Sequence, residues 1–456
     1  MRIIAAVVLA LLGAATSVAF AAAPSSSSVR WTEIGGGGAR PGTQLGLLRE
    51  GGVLHVVSEE GVPSTIVDHQ LNLDGGTLPT VTIASNFDGP GGLGLVGFAD
   101  GSVRLFAAGG TRPGLPSNLS GINTYVRTPA GGWTLDPTAL WGGAVASAAS
   151  FIGATVLGNQ PVTAWGGGVV HVGAGSSTAA DQTYQPDCCG ASPQLVTDSS
   201  TGAVVMAWLS NGHQSGTYVK QVLPTAGPLV SLPSGQTEGS FGLTARIGAP
   251  GTFVAYTGPT DQTVRLYNVT AATTQIVTKG PYRVAKAFAA PEGRLWMLWG
   301  DANTGVFATR SNRRVTKWEP VQRVPLPSNL TAFYNAQGEG SAGPLDAFAD
   351  LLIGTTNRGF WHAHILPKDS LSYRSAPYPT GGGKSRGERV EFTVTDAGDP
   401  VKGAIIVVAH GGKTLLNLRT DANGHASGAL LGNFTGGVRA TASAPGYDNA
   451  IITVGK

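Results

Sequence analysis

A strand–turn–strand unit recurs along the chain, and this repeat constrains the fold more than any other feature. Each copy has a short apolar strand, a turn containing Gly, Pro or Asp, and a second strand that ends in a large aromatic or aliphatic anchor. The clearest copies have anchors spaced by 43, 48 and 43 residues, and three looser copies extend the series to seven, with a mean spacing of about 49 residues. The seven anchors are Val57, Phe106, Trp165, Trp208, Tyr256, Trp299 and Ile353.

A third and a fourth strand complete each unit. The third follows the anchor after a polar turn, as in "GPTDQTVRLYNVT", and the fourth is visible at 131–137, 227–233 and 316–321. Four strands in a repeat of roughly 40–50 residues form one β-propeller blade. We therefore predict an all-β fold with a β-propeller at 29–376. Seven blades are favoured over six or eight, and a β-sandwich or irregular all-β fold is the alternative.

The two ends of this region predict how the ring closes. The last copy ends after "FWHAHILP" without a clear outer strand, while "VRWTEIG" at 29–35 looks like the outer strands of other copies. If the N-terminal segment supplies the missing strand, the ring has no open sheet edge.

The C-terminal region reads as a separate small β-sandwich. Alternating segments such as "VEFTVTD" and "AIIVVAH" predict strands at 388–456, after a Pro- and Gly-rich linker at 377–387. The turns Gly398–Ala404, Thr420–Gly424 and Ala444–Tyr447 resemble those of bacterial Ig-like and carboxypeptidase-regulatory-like modules. That resemblance implies an Ig-like spacer or adhesion module without catalytic residues.

The N-terminus has the pattern of a signal peptide. Arg2 precedes an apolar run, and small residues follow before position 23. The apolar core is short for a membrane span, which is the alternative interpretation. We predict a signal peptide at 1–23, a chain that is secreted or associated with the cell envelope, and no membrane span after cleavage.

The charge balance argues against a nucleic-acid partner. Only 12% of residues are charged and the net charge is +3, whereas nucleic-acid binders carry dense basic patches. The most basic stretch, 309–323, is interpreted either as a contact for an anionic polymer or as an exposed turn.

Three arginines and one Asp-containing turn of the repeats are candidate catalytic groups. The repeats resemble those of sialidase-like and exported actinobacterial propellers, but the nearest match to the sialidase Asp box, around Asp198, has wider spacing. Sialidases need an arginine triad, for which Arg104, Arg246 and Arg294 are candidates. The alternative is that these arginines are solvated strand residues.

The histidines predict no metal centre. His362 and His364 lie on one face of a strand, but a closed metal site needs three or four ligands, and neither ring has an obvious carboxylate partner nearby in sequence. We interpret the pair as the polar face of a blade strand, and we predict no metal or cofactor.

The only two cysteines, Cys188 and Cys189, are adjacent. Neighbouring Cα atoms are closer than an ordinary disulfide prefers, so a bond between them closes a strained ring. In an exported chain we favour this vicinal disulfide over free thiols or bonds to another chain or a metal. The pair follows Asp187 in a loop between blades, and strain can mark a functional site.

These observations lead to two functional interpretations. The first is a secreted, non-enzymatic binding protein whose propeller recognises an extracellular glycan or a cell-envelope protein, with Asp187, Cys188, Cys189, Arg246 and Arg104 as candidate binding residues. The alternative is a sialidase-like glycoside hydrolase or lyase with its site at the propeller axis. A hydrolase requires two facing carboxylates.

Overall fold

The structure of the chain is a computed structural model with two short helices and 36 strands in the part that it describes. The helices are 3-10 turns, Glu238–Ser240 and Pro291–Gly293, and in the described residues no helix is long and apolar enough to cross a membrane. The described residues are 29–35, 44–61, 64–87, 91–111, 120–129, 131–142, 151–166, 169–175, 182–184, 190–210, 212, 215–235, 237–258, 260–355, 357–377, 387–432 and 437–454.

Seven four-stranded antiparallel sheets follow one another along the described chain, each forming one blade. Blade 7 includes the first strand, β1 (Thr32–Glu33). Blade 1 contains β2 (Gly46–Glu50), β3 (Val53–Glu60), β4 (Ser64–Leu71) and β5 (Thr77–Phe87). Blade 2 contains β6 (Leu93–Gly97), β7 (Val103–Thr111), β8 (Ser120–Arg127) and β9 (Trp133–Gly142). Blade 3 contains β10 (Ile152–Leu157), β11 (Gln160–Gly166), β12 (Val170–Ala174) and β13 (Gln182–Tyr184).

The remaining blades repeat this order. Blade 4 contains β14 (Gly190–Asp198), β15 (Ala203–Ser210), β16 (Gly216–Leu223) and β17 (Val230–Leu232). Blade 5 contains β18 (Phe241–Ala245), β19 (Thr252–Thr257), β20 (Thr263–Asn268) and β21 (Thr273–Lys279). Blade 6 contains β22 (Val284–Ala289), β23 (Leu295–Asp301), β24 (Gly305–Arg310) and β25 (Gln322–Val324). Blade 7 contains β26 (Leu330–Glu339), β27 (Leu345–Ile353), β28 (Asn357–Ile365) and β1.

The N-terminal strand closes the ring as predicted. Strand β1 pairs antiparallel with β28, with Thr32 opposite His362 and Glu33 opposite Trp361. Blade 7 therefore has four strands, and the prediction of a seven-bladed propeller is confirmed.

The hydrophobic cores lie between neighbouring blades. Blades 7 and 1, for example, share a cluster that includes Ile34, Leu54, Val56, Phe348 and Phe360. Equivalent clusters join blades 1 to 2, 2 to 3, 3 to 4, 4 to 5, 5 to 6 and 6 to 7. Each blade thus buries both faces only because it has a neighbour on each side.

The anchors of the repeat lie on the second strand of each blade. Trp208 is fully buried, and its ring stacks on Tyr218, directly opposite on the third strand, with centroids 5.7 Å apart. The predicted seventh anchor is displaced. Ile353 is only partly buried at the end of β27, and the buried ring of that strand is Phe348.

The C-terminal region forms two further sheets that share one core. The strands of the first sheet are β29 (Ser370–Pro377), β30 (Gly387–Asp396), β31 (Asp399–Pro400) and β34 (His425–Leu431). Those of the second are β32 (Ile405–His410), β33 (Lys413–Arg419), β35 (Val438–Ser443) and β36 (Ala450–Val454). In the first sheet, β30 pairs with β29 along one edge and with β31 and β34 along the other. The second sheet has the order β33–β32–β35–β36.

Strand pairing corrects the predicted boundary between the two domains. Most of the expected linker 377–387 lies outside the described residues. The strand before it, β29, was assigned to the propeller but pairs with β30 of the sandwich, from Ser370 opposite Thr395 to Pro377 opposite Glu388. The composition misled because Gly and Pro are common in turns within a domain as well as in linkers. The chain passes from propeller to sandwich at 366–369 instead.

Candidate functional site

The first strands of the seven blades surround a central channel with a cavity of about 220 Å³. Its polar side chains are mostly amides, and they bind backbone groups of other blades. Gln44, Gln194 and Gln337 accept hydrogen bonds from the N–H groups of residues 152, 243 and 45 at 2.8, 2.8 and 3.2 Å. Among the described residues that line this channel there is no carboxylate; a glycosidase uses two facing ones.

A second pocket, of about 280 Å³, lies at the seam between blades 7 and 1. We call it the seam pocket. It is polar, and the C-terminal sandwich contributes to its wall. Its lining includes Arg30, Thr32, Gly75, Gln322, His362, His364 and Asp448.

The two histidines of the seam pocket share one buried carboxylate. Asp346 lies on the neighbouring strand, directly opposite His364. One of its oxygens, Oδ1, is 3.0 Å from Nε2 of His362 and 2.8 Å from Nδ1 of His364. The Asp346 side chain is 1% exposed, whereas that of His364 is 19% exposed. The hydrogen bond to Asp346 therefore fixes the Nδ1 side of the His364 ring, while part of the side chain remains exposed to solvent.

An arginine from blade 1 completes this arrangement. Arg49 on β2 forms an ion pair with the other oxygen of Asp346, Oδ2, and a second one with Glu339 at 2.6 Å. Burial acts to raise the pKa of Asp346, but hydrogen bonds from His362 and His364 outweigh it, and the pKa lies below its ordinary value. Asp346 is thus an ionised carboxylate at neutral pH.

The repeat distinguishes the roles of the two imidazoles. His362 faces Phe348 and stacks on it at 5.0 Å, in the position that Tyr218 occupies against Trp208. His362 therefore occupies the packing position of the repeat, in which a ring on the third strand stacks on the anchor ring of the second.

The Asp346–His364 pair differs from the same position of blades 4, 5 and 6. Two residues before the anchor, those blades carry Met206, Val254 and Met297, all fully buried and apolar. Blade 1 also has a buried polar pair at this position, with Nδ1 of His55 2.8 Å from Oδ2 of Asp68, but neither of these residues lines the seam pocket. Because an isolated buried charge is destabilising, and because His364 reaches the pocket wall, the Asp346–His364 pair is a candidate site.

A close approach of blade 1 shapes the pocket next to His364. Gly75 has a φ of +79°, and a Cβ at this position would lie 2.8 Å from Cβ of His364. Only glycine allows the β4–β5 turn to lie against the imidazole.

The candidate arginines lie in three different blades, and none lines the channel or the seam pocket. The Arg104 guanidinium lies 5.3 Å from the ring centroid of Phe98. Arg246 donates hydrogen bonds to the carbonyls of Gly293, Pro250 and Arg313. Arg294 is not a solvated strand residue: it is 4% exposed and pairs with carboxylates of the sandwich.

The other predicted site residues, Asp187, Cys188 and Cys189, lie outside the described residues, and the vicinal disulfide stays a prediction. The basic stretch 309–323 contacts the sandwich, through Arg310 to Asp396 and through the N–H of Arg313 to Asp399. No group of three or more His, Cys, Asp or Glu residues is arranged to hold a metal ion in the described parts of the chain.

The carboxylate partner of the histidines was missed because it is distant in sequence. Asp346 is 16 and 18 residues before the two histidines and becomes their neighbour only when β27 pairs with β28. The signal that could have found it was present, since aligning the anchor on Phe348 rather than Ile353 places an Asp at a position that is apolar in blades 4, 5 and 6.

No family model matches the chain, and no curated protein matches it. Solved structures with a similar fold include polysaccharide lyase Uly1, with 9% identity over 71% of this chain and 89% of that one and a TM-score of 0.46. An α-L-arabinanase of Penicillium chrysogenum has 11% identity over 74% and 97% of the two chains, with a TM-score of 0.38. The β-propeller domain of the Trilobed protease from Pyrococcus furiosus has 8% identity over 71% and 96%, with a TM-score of 0.38.

At these identities the likeness concerns the β-propeller fold alone. Two of the three neighbours are named as a polysaccharide lyase and an α-L-arabinanase. These names do not bear out the expectation of a non-enzymatic binding protein, which is therefore withdrawn as the leading interpretation. Which chemistry the chain performs has to be argued from the site.

Proposed function

We propose that the protein is a polysaccharide-degrading enzyme of the lyase type, which acts on acidic polymers at the seam pocket. The observation that carries this proposal is the pairing of His364 with buried, ionised Asp346 in a pocket that is also lined by Arg30. A base oriented by a carboxylate, next to a cation, suits the removal of a proton from a carbon that adjoins a substrate carboxylate.

The carboxylates near the pocket favour elimination over hydrolysis. Both oxygens of Asp346 already bind charged or imidazole partners, so this group is not free to act as an acid or a nucleophile. Asp448 is the one carboxylate among the described residues of the pocket lining. A glycosidase needs two facing carboxylates, whereas an elimination needs one base and a stabilised carboxylate.

In the proposed reaction His364 is the general base. The Nδ1–H group of His364 donates to Asp346, a tautomer that we assign from the hydrogen bond, and Nε2 is then the proton acceptor. Nε2 takes the proton from the carbon next to the uronate carboxylate, and Arg30 stabilises the negative charge that develops on that group. The bond from the sugar to the leaving oxygen breaks, a carbon–carbon double bond forms, and the leaving oxygen takes up a proton from His364 or water.

The test is turnover of acidic polysaccharides. The full chain is incubated with pectate, alginate and chondroitin sulfate, with neutral arabinan as a control, and the ultraviolet absorbance of the unsaturated uronate product is followed. We expect turnover of at least one acidic polymer, and a loss of about a hundredfold or more in His364→Asn, because the variant lacks the base. His425→Asn, at an exposed position of the sandwich, serves as the matched control and keeps full activity.

Two results contradict the proposal. One is the absence of turnover with every acidic polymer. The other is the release of new reducing ends without ultraviolet absorbance, which indicates hydrolysis.

We also propose that the chain is exported and that residues 1–23 are removed. A protein that stays inside the producing cells, or one from the culture medium that retains residues 1–23, contradicts this.

A further inference from the structure

The propeller and the sandwich meet around a buried group of charges, which we call the junction cluster. Blade 6 contributes two arginines and, from the connection between β24 and β25, a glutamate. The connector at 366–369 contributes an aspartate, and the sandwich contributes the rest. The members are Arg294, Arg310, Glu319, Asp369, Asp396, Asp399 and Tyr447.

Most of these groups are paired across the domain boundary. Arg310 binds Glu319 at 3.1 Å and Asp396 of the sandwich at 2.7 Å. Arg294 binds Asp396 at 3.2 Å and Asp399 at 2.8 Å, and the Tyr447 hydroxyl donates to Asp396 at 2.9 Å. The two domains are thus joined by charge pairs that are almost completely buried.

The cluster contains more acids than bases. Four carboxyl groups face two guanidinium groups, and Asp369 is the one left over. It is 2% exposed, and neither of its oxygens has a hydrogen-bond partner in the described structure. A buried, unpaired carboxylate is strongly unfavourable. No metal-binding arrangement is present in the described residues, so a proton is the simplest way to neutralise the group.

We propose that the junction cluster is a pH-dependent latch, in which the docked sandwich keeps a proton on Asp369 that is released when the two domains separate. The charged and titratable groups of the elements that meet at Asp369 are Arg294, Arg310, Glu319, Lys368, Asp396, Asp399, Tyr447 and Asp448.

The electrostatics of the cluster support this latch. Burial, followed by the nearby charge of Asp396, raises the pKa of Asp369 to about 7, although Arg310 and Arg294 act in the opposite direction. Burial also raises the pKa of Glu319 well above its ordinary value, against the opposing charge of Arg310.

The sign of the effect follows from linkage. The docked state binds a proton more tightly than the separated state, in which an exposed aspartate has a pKa of about 3.9. Docking therefore weakens as the pH rises from the pKa of Asp369 in the separated state to its pKa in the docked state, and it changes little at higher pH. With these two pKa values, Asp369 alone lowers the docking constant about tenfold between about pH 6 and about pH 8.

The experiment measures hydrogen exchange of amides that bond across the boundary. The N–H of Arg313 donates to Asp399 at 3.0 Å, and the N–H of Asp448 donates to the carbonyl of Pro367 at 2.8 Å. Protection factors, corrected for the intrinsic exchange rate at each pH, report the opening constant even when nearly all molecules are docked. Amides of β23 within blade 6 report whether the propeller itself remains folded.

We expect the protection of these two amides to fall about tenfold or more between about pH 6 and about pH 8 in the wild type. Asp369→Asn imitates the protonated acid. In this variant the fall in protection between the two pH values is about tenfold smaller than in the wild type. The matched control Asp399→Asn breaks an ion pair at the rim and is read only at the Asp448 amide, because Asp399 is the acceptor of the Arg313 amide; it lowers protection at both pH values and keeps the wild-type slope. A wild type without pH dependence, or an Asp369→Asn variant with the wild-type slope, overturns the latch. The measurement does not depend on enzymatic activity.

Discussion

The buried carboxylate of blade 7 allows a strong test of the site. Asp346→Asn keeps the shape of the side chain and removes its charge. In the wild type this carboxylate binds Arg49, His362 and His364 and is 1% exposed. An amide can accept from one histidine, but its NH₂ group then faces another donor, and Arg49 keeps only Glu339 as a partner.

The expected loss of stability is large. Removing one partner of a buried ion pair typically lowers the free energy of unfolding by about 3–5 kcal/mol, because the other charge remains buried. The pKa of Asp346 is lowered in the folded state. Its contribution is therefore complete above the unfolded pKa and is lost as pH falls through the folded pKa, so the difference between variant and wild type narrows in acid.

Urea denaturation followed by circular dichroism measures this difference. The matched control is Asp261→Asn in blade 5. Asp261 pairs with Arg265, and the Asp261 side chain is 41% exposed, so the loss there is about 1 kcal/mol or less. Equal midpoints for the wild type and Asp346→Asn, or equal losses in the two variants, refute the reasoning that the Asp346 carboxylate is stabilised by buried charged partners.

Further predictions concern the repeat, the channel and the junction. Trp208→Ala removes a fully buried ring and should lower the free energy of unfolding by about 3–5 kcal/mol; an unchanged thermal midpoint contradicts this. Gly153→Ala places a Cβ 2.9 Å from the carbonyl oxygen of Pro193 and should destabilise by about 1–3 kcal/mol, measured by urea denaturation. Tyr447→Phe removes the hydroxyl that orients Asp396 within the sandwich for its ion pair with Arg310, and should weaken docking by about 1 kcal/mol, seen as faster exchange of the junction amides.

The sequence was sufficient to predict the propeller because the information is periodic. Anchors such as Trp165, Trp208 and Trp299 recur at nearly equal spacing, and each forms part of a core between two blades. The closing strand at 29–35 could be predicted for the same reason, since its residues resemble the outer strands of other copies.

The candidate site could not be predicted in the same way, because it depends on pairs that are distant in sequence. The sequence indicated His364 as one of two histidines on a strand face. Its partner Asp346 becomes its neighbour only through the register of β27 and β28, and Arg49 reaches Asp346 only through the contact between blades 1 and 7. The junction cluster has the same origin. Arg294 and Arg310 look like ordinary strand arginines until the sandwich places Asp396 and Asp399 against them.

The closure of the ring has a consequence for the order of folding. Arg49 and Asp346 are 297 residues apart in sequence, and Thr32 reaches His362 across the whole propeller. Such a long loop carries a high entropic cost of closure, and non-local pairings of this kind form slowly. During synthesis, Arg49 is made long before its partner exists. The chain therefore acquires its candidate site only when the seventh blade has met the first, and a product truncated before β28 lacks both histidines and the strand to which β1 pairs.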